Sequence, residues 1–418
     1  MRISNYQNEF KKIIKRGHFI PEVNPIRKVA FDQLIQNGLP SKKWSDLRFT
    51  NFKELNKNIF RISEIKDTND RNFDSSSLGI DNSYKIIFHN GHFQNNISTV
   101  PEGVELLSNL EYCNRNRWNI HQPNKSPYDL LNTAFMDGGM FLTVKNNVEI
   151  TDPIFLIFIF SGEDSLMMSP RLHIELNQSS SVSLFEYHTK SNCCHMTNLS
   201  TFCSLKENSN LNHIRLQLDS TKSININNIH IEQEQHSNYH FSHFAIGSSL
   251  GSININTHLK GEAAECHLNG LTLTNNYQHI DTHIFTNHNF KNCTSTQNFK
   301  TILKDYSSGV FNGKVTVQKN AQKTDSNQSN KNLILSKNAK MNSNPQLIIH
   351  ADDVRCSHGS STGEIDPDSL FYMRSRGLDE DTATLLLING FAAEILETIK
   401  NKKIQKFILK QFKKWMQN

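Results

Sequence analysis

Cys356 and His358 lie two residues apart in the run NPQLIIHADDVRCSHGSSTGEIDPDSLFYMRSRGL, residues 344–378. In an extended segment that spacing points both side chains the same way. A thiolate and an imidazole on one face form a donor pair suited to iron, zinc or copper. Asp352 and Asp353 offer hard oxygen ligands nearby, and Arg355 offers a positive charge that would lower the thiol pKa. Two ligands leave a tetrahedral site half filled, so a metal held here needs further donors from a second chain or a small molecule. The plain alternative is an ordinary cysteine standing near a histidine.

Other candidates carry less. Fifteen of the 19 histidines fall between His173 and His358. His236, His240 and His243 are spaced so that they cannot all share one face of a strand, whereas His279 and His283 can. Wall or surface positions in a β-region account for most of them. HExxH, GxSxG and GxxxxGK[ST] are all absent. No catalytic residue is nominated, and the chain reads as non-enzymatic.

The elements that position these residues follow from composition and pattern. A chain of 418 residues has room for two to four domains and a proper core. Only 36 % of it is hydrophobic, the mean hydropathy is −0.53, and roughly 50 residues are asparagine. Asn tolerates left-handed turns and can stack in ladders between coils of a solenoid; an AT-rich genome would also enrich it. A net charge of +5 is no nucleic-acid footprint. Fibrous, collagen-like and integral membrane classes are excluded. The longest apolar run, Ile154 to Phe160, is far too short for a membrane span. Seven cysteines, an odd number without a CxxC pair, and a start, MRISNYQNEFKK, without an apolar secretory core point to a reducing cytoplasm.

Residues 1 to about 60 read as helices and 61–80 as polar loop, giving an N-terminal helical region over 1–80. Ile86-Ile87-Phe88 leads into the tight turn Asn90-Gly91. From about 130 to 350 the pattern is almost purely β: SVSLFEYH, LNHIRLQL, SININNIHIE, NYHFSHFAIG and IDTHIFTNH alternate with period two. Without helices between strands a doubly wound sheet is excluded. A sandwich, a barrel or a β-helix remains. Asp366-Pro367 then caps a helix that stops at Gly377. A second helix carries Ala383, Leu386, Leu387, Phe391 and Ile395 on its apolar face. A third, basic helix carries Ile404, Phe407, Ile408, Phe412 and Trp415.

The segment ADDVRCSHGSSTGEIDPDSLFYMRSRGLDEDTATLLLINGFAAEI closely resembles the SufB/SufD family, scaffold subunits of the SUF iron–sulfur cluster assembly system, in its SufD branch. GLPSKKWSDLRFTNFKEL, IIFHNGHF, LNTAFMDGGMFLTV, NGLTLTNNYQHIDTHIFTNH and SSGVFNGKVTV agree with it, so the resemblance spans nearly the whole chain.

The resemblance implies a mainly β fold: a right-handed parallel β-helix over 81–350, between the N-terminal helical region and a C-terminal helical domain over 351–418. It implies pairing with SufB through the β-helix and docking of the SufC ATPase on the C-terminal helices, with a homodimer as an alternative when the chain is isolated. It assigns Cys356 and His358 to cluster assembly or iron uptake at the SufB interface. The iron or cluster would be transient and shared with SufB, a flavin is open for the complex, and no cofactor is expected to stay tightly bound to the isolated chain. Leu370, Phe371, Tyr372, Arg374, Arg376, Gly377, Gly390 and Phe391 match the SufC-docking region. Most of the apolar ones are expected to close the helical domain, which leaves Arg374 and Arg376 as the better interface residues. The rival reading is an ATPase-accessory scaffold without cluster chemistry.

Overall fold

The structure is a computed structural model, and it describes residues 3–16, 23–63, 83–115, 126–162 and 165–417. The loop expected over 61–80 lies outside the described residues from 64 onward.

A strand that alternates apolar and polar residues has one face to bury. Here two stacks of such strands bury those faces against each other. His195–Leu205, Ile224–Gln233, Leu250–Leu259, His279–His288, Ser308–Val317 and Lys340–Ile349 form one stack. Ser181–His188, Asn210–Gln217, Asn238–Ala245, Glu265–Thr274, Thr294–Leu303, Asp325–Ile334 and Arg355–Gly363 form the other. Successive strands along the chain alternate between stacks, and neighbours within a stack run parallel in register. The architecture is therefore a β-helix, mainly β, with helices at both ends of the chain.

His279 and Ser308 occupy equivalent places 29 residues apart. No strict sequence repeat marks this period, because the fold needs only an inward apolar residue at alternate positions and a left-handed residue at each corner. Asn208, His236, Ala263, Asn292 and Lys323 take φ between 54° and 60° at such corners. Only some of these are Asn, so turn geometry explains part of the asparagine excess. A ladder explains another part: Asn254 donates to Asn228 and Asn228 to Asn198, each at 3.1 Å.

The outer faces are covered differently. Against the first sheet lie Tyr6, Ile13, Phe31 and Leu34 of the N-terminal helices and Tyr128 and Phe135 of a helix at Pro127–Phe135, packed on Met196, Ile224, Ile226 and Leu250. That last helix interrupts what reads as an almost purely β stretch. Its signal was present: Ser126 accepts from the Asp129 amide as N-cap, with Pro127 at the first position. Against the second sheet lie Ile388, Ala392, Ile395, Ile404, Ile408, Phe412 and Trp415 of the C-terminal helices.

The two ends of the solenoid are unlike. The first is closed by antiparallel strands, Lys85–His89 with His92–Phe93 and Val104–Ser108 with Gly139–Val144. Asn90 and Gly91 make the expected tight turn, at φ 47° and 83°. Gly139 must be glycine: at φ 124° its Cβ would sit 1.8 Å from the Arg171 carbonyl oxygen. At the far end, Lys340–Ile349 and Arg355–Gly363 are the last strands of their sheets. The solenoid thus runs to Gly363, past the 81–350 span, and takes in part of the 351–418 segment.

Candidate functional site

Among the described residues, Arg355–Gly363 pairs only with Asp325–Ile334, placing Cys356 beside Ser326 and His358 beside Gln328. Both partners are buried, inward-facing residues of the preceding coil. Cys356 and His358 therefore point toward the solenoid axis, on one face, as their spacing predicts. In the preceding coil, inward and outward positions alternate between buried and exposed; in this one every residue from Ser357 to Gly363 is exposed. The inward face of the last coil has no cover among the described residues. A solenoid end of this kind ordinarily requires a capping element.

Cys356 is half-buried at the rim of a small apolar group formed by Val315, Val317 and Ala321 with Leu347 and Val354. Burial, together with the Asp325 carboxylate, pushes its thiol up. The expectation that Arg355 lowers the thiol pKa is overturned: burial first and Asp325 second push it the other way, and Arg355 does not offset them. Cys356 is thus held as a thiol that an incoming cation would have to deprotonate. His358 is exposed and hydrogen-bonded to none of the described residues. Asp352 and Asp353 sit in the preceding turn, where Asp353 is tied by its backbone to Gln322 and Lys323. No three His, Cys, Asp or Glu side chains among the described residues converge on a metal position. Within the last coil, Ser343 bridges Asn330 of the preceding strand and Ser360 at 2.8 and 2.7 Å. The mouth is thus an exposed strand face that carries one soft and one borderline donor side by side.

The histidine groups resolve as structure. His236 sits in a left-handed corner, His240 stacks on His267, and His243 is buried inside. His279 and His283 share a face and flank Asp281, with His279 Nε2 at 2.6 Å.

The second candidate surface is the C-terminal helical face. Asp366 accepts from the Ser369 amide as N-cap of Pro367–Ser375, and Gly377, at φ 90°, ends it. None of that helix is buried. Phe371 is 74 % and Tyr372 59 % exposed, which corrects the expectation that the apolar residues here close the domain. Leu370 and Phe391 are half-buried, and Phe391 packs inward on the second sheet. Arg376 lies over the Tyr372 ring at 5.3 Å, Arg374 pairs with Glu380 at 3.0 Å, and Gly390 is open to solvent. Leu386, placed by sequence on the buried face of Glu380–Leu396, is 46 % exposed, with Leu385 at 39 %. Ile388 and Ala392 bury instead. The run TLLLINGFAA is apolar on more than one stripe, and that excess was the signal for a second, unpartnered face.

Residues 158–391 match the family described as SUF system FeS cluster assembly, SufBD core domain. The chain is 28 % identical to the iron–sulfur cluster assembly protein SufD of Escherichia coli, over 92 % of this chain and 91 % of that one. It is 31 % identical to a SufBD family iron–sulfur cluster assembly protein of Synechocystis, over 89 % of this chain and 86 % of that one. Together with the two-sheeted β-helix and its intact Cys-Ser-His strand, these matches establish that the chain belongs to the SufBD family of SUF-system iron–sulfur cluster assembly proteins.

Proposed function

We propose that this chain is a non-enzymatic scaffold subunit that builds a cluster, or admits iron to one, at an interface between its last coil and a SufB-like partner. The observation that carries the reading is the uncovered inward face of Arg355–Gly363, with Cys356 and His358 on it. A family whose members assemble clusters, and a donor pair too small to hold a metal alone, both call for donors from a second chain. The partner's terminal strand would extend the sheets and cover that face, and the cluster is then cargo shared by the two subunits. The exposed Phe371, Tyr372, Leu385 and Leu386 surface, with Arg374 and Arg376 at its side, suits docking of a SufC-type ATPase. Motion at that surface would reach the mouth through the short connection from Gly363 to Asp366.

The test is co-expression with SufB and SufC, followed by iron and sulfide analysis of the purified complex. His358→Ala is expected to leave the complex intact and abolish cluster loading. Unchanged loading would refute the site. Recovery of the ATPase without SufB would favour an accessory scaffold lacking cluster chemistry.

A further inference from the structure

A cleft of about 550 Å³ lies between the Lys53–Lys57 helix and the corner loops of the solenoid. Lys53, Lys57 and Lys222 line it, with Glu54 as the one lining carboxylate among the described residues. Tyr277 and Tyr306, from corners of successive coils, also line it, their rings stacked 5.2 Å apart. They are 73 % and 56 % exposed.

Three features separate this cleft from an ordinary solvated surface. Three other solenoid lysines face carboxylates: Lys206 meets Glu234 at 2.9 Å, Lys260 meets Glu232 at 2.6 Å, and Lys291 meets Glu262 at 3.3 Å. Lys53, Lys57 and Lys222 make no such pair among the described residues, and the cleft gathers the three in one place. The floor is tied to the solenoid: Gln278 donates to the Ile246 and Ser248 carbonyls, and His279 lies between Ser308 and Asp281. Finally, two large aromatic rings stay in water although each has a flat face to offer. Concentrated positive charge recognises phosphate, and an exposed aromatic face recognises a planar ring.

We propose that this cleft binds a nucleotide-class ligand, with its phosphates on Lys53, Lys57 and Lys222 and its base stacked on the Tyr277–Tyr306 pair. The site is independent of Cys356 and His358.

Isothermal titration calorimetry on the isolated full-length chain, produced without any ATPase subunit, tests this with ADP and pyrophosphate as probes. Saturable ADP binding in the micromolar range is expected, tighter than that of pyrophosphate. The triple variant Lys53→Gln, Lys57→Gln, Lys222→Gln should weaken both probes by roughly tenfold or more. The double variant Tyr277→Ala, Tyr306→Ala should weaken ADP by about tenfold and leave pyrophosphate unchanged. All five side chains are exposed, so unchanged unfolding midpoints are expected to show that the variants fold. Absence of saturable ADP binding, ADP binding indifferent to the lysine changes, or ADP no tighter than pyrophosphate would each overturn the proposal.

Discussion

Glu186 and His358 both stand on inward-facing positions of the same sheet, one mid-solenoid and the other in the last coil. Around Glu186 the interior is sealed. Its carboxylate accepts from His188 at 2.5 Å, His213 at 3.1 Å and Arg215 at 2.8 Å. Arg215 goes on to Asn225 in the opposite sheet at 2.8 Å. Burial alone would raise the Glu186 carboxyl, but the Arg215 guanidinium and the two histidines outweigh it and hold the group well below the ordinary range. At the mouth, a His with the same inherent chemistry has no such company. The middle spends its polar groups on one another, while the end leaves them for something else. Residue type is thus a poor guide to function in this chain, and availability is the better one.

The sharpest way to break this comparison is Glu186→Ala. Arg215 would be left buried without its counter-charge, and two histidines would lose an acceptor. Removing one partner of a buried ionic pair costs about 3–5 kcal/mol. The urea midpoint should fall accordingly. A midpoint close to that of the parent chain would show that water or a shifted Arg215 compensates, and that the interior is less sealed than its burial indicates.

Acid should attack the same region with a somewhat smaller effect. Burial, helped by Arg215, lowers the pKa of His188 and His243, and burial lowers His288 to about 4. Each binds a proton more weakly in the folded chain than in the unfolded one. Below about 6.5 the unfolded state therefore takes up more protons, and stability falls as pH falls. Glu186, Asp219 and Asp281, whose folded pKa values are depressed, lose their contribution at still lower pH. Both sets act in one direction. The urea midpoint should be highest near neutrality and drop steadily from pH 7 to pH 4; His288 alone is worth about 3 kcal/mol once it is fully titrated. A flat midpoint between pH 7 and pH 5 would contradict neutral buried histidines.

This division explains what the sequence disclosed. Period-two alternation placed SVSLFEYH exactly as a strand, since one buried face is all a solenoid strand requires. Cys356 and His358 were legible because spacing fixes shared direction. Their exposure was not, because it depends on where stacking stops, and nothing local in Arg355–Gly363 announces the last coil. The Glu186 cluster was invisible for a related reason: Glu186, Arg215 and Asn225 meet across separate strands with no common motif. The exposure of Phe371 and Tyr372 was not legible, because an apolar residue on a short helix looks the same whether it is buried or awaits a partner.

The smallest effect gives the finest contrast. His358→Ala should change stability by less than about 0.5 kcal/mol, since an exposed side chain without a partner contributes little. Cys356→Ala should cost about 1 kcal/mol, because half its surface packs on the rim formed by Val317, Leu347 and Val354. Urea unfolding of the isolated chain can rank these two against Glu186→Ala. If His358→Ala destabilised as strongly as Glu186→Ala, the last coil would be sealed from within and the mouth closed. If instead both mouth variants cost far less than Glu186→Ala in the isolated chain, but Cys356 is shielded from thiol-alkylating reagent once a partner is added, the open coil is completed by a second chain. The sealed cluster cannot show that second behaviour, because Glu186 and Arg215 are already inaccessible before any partner arrives.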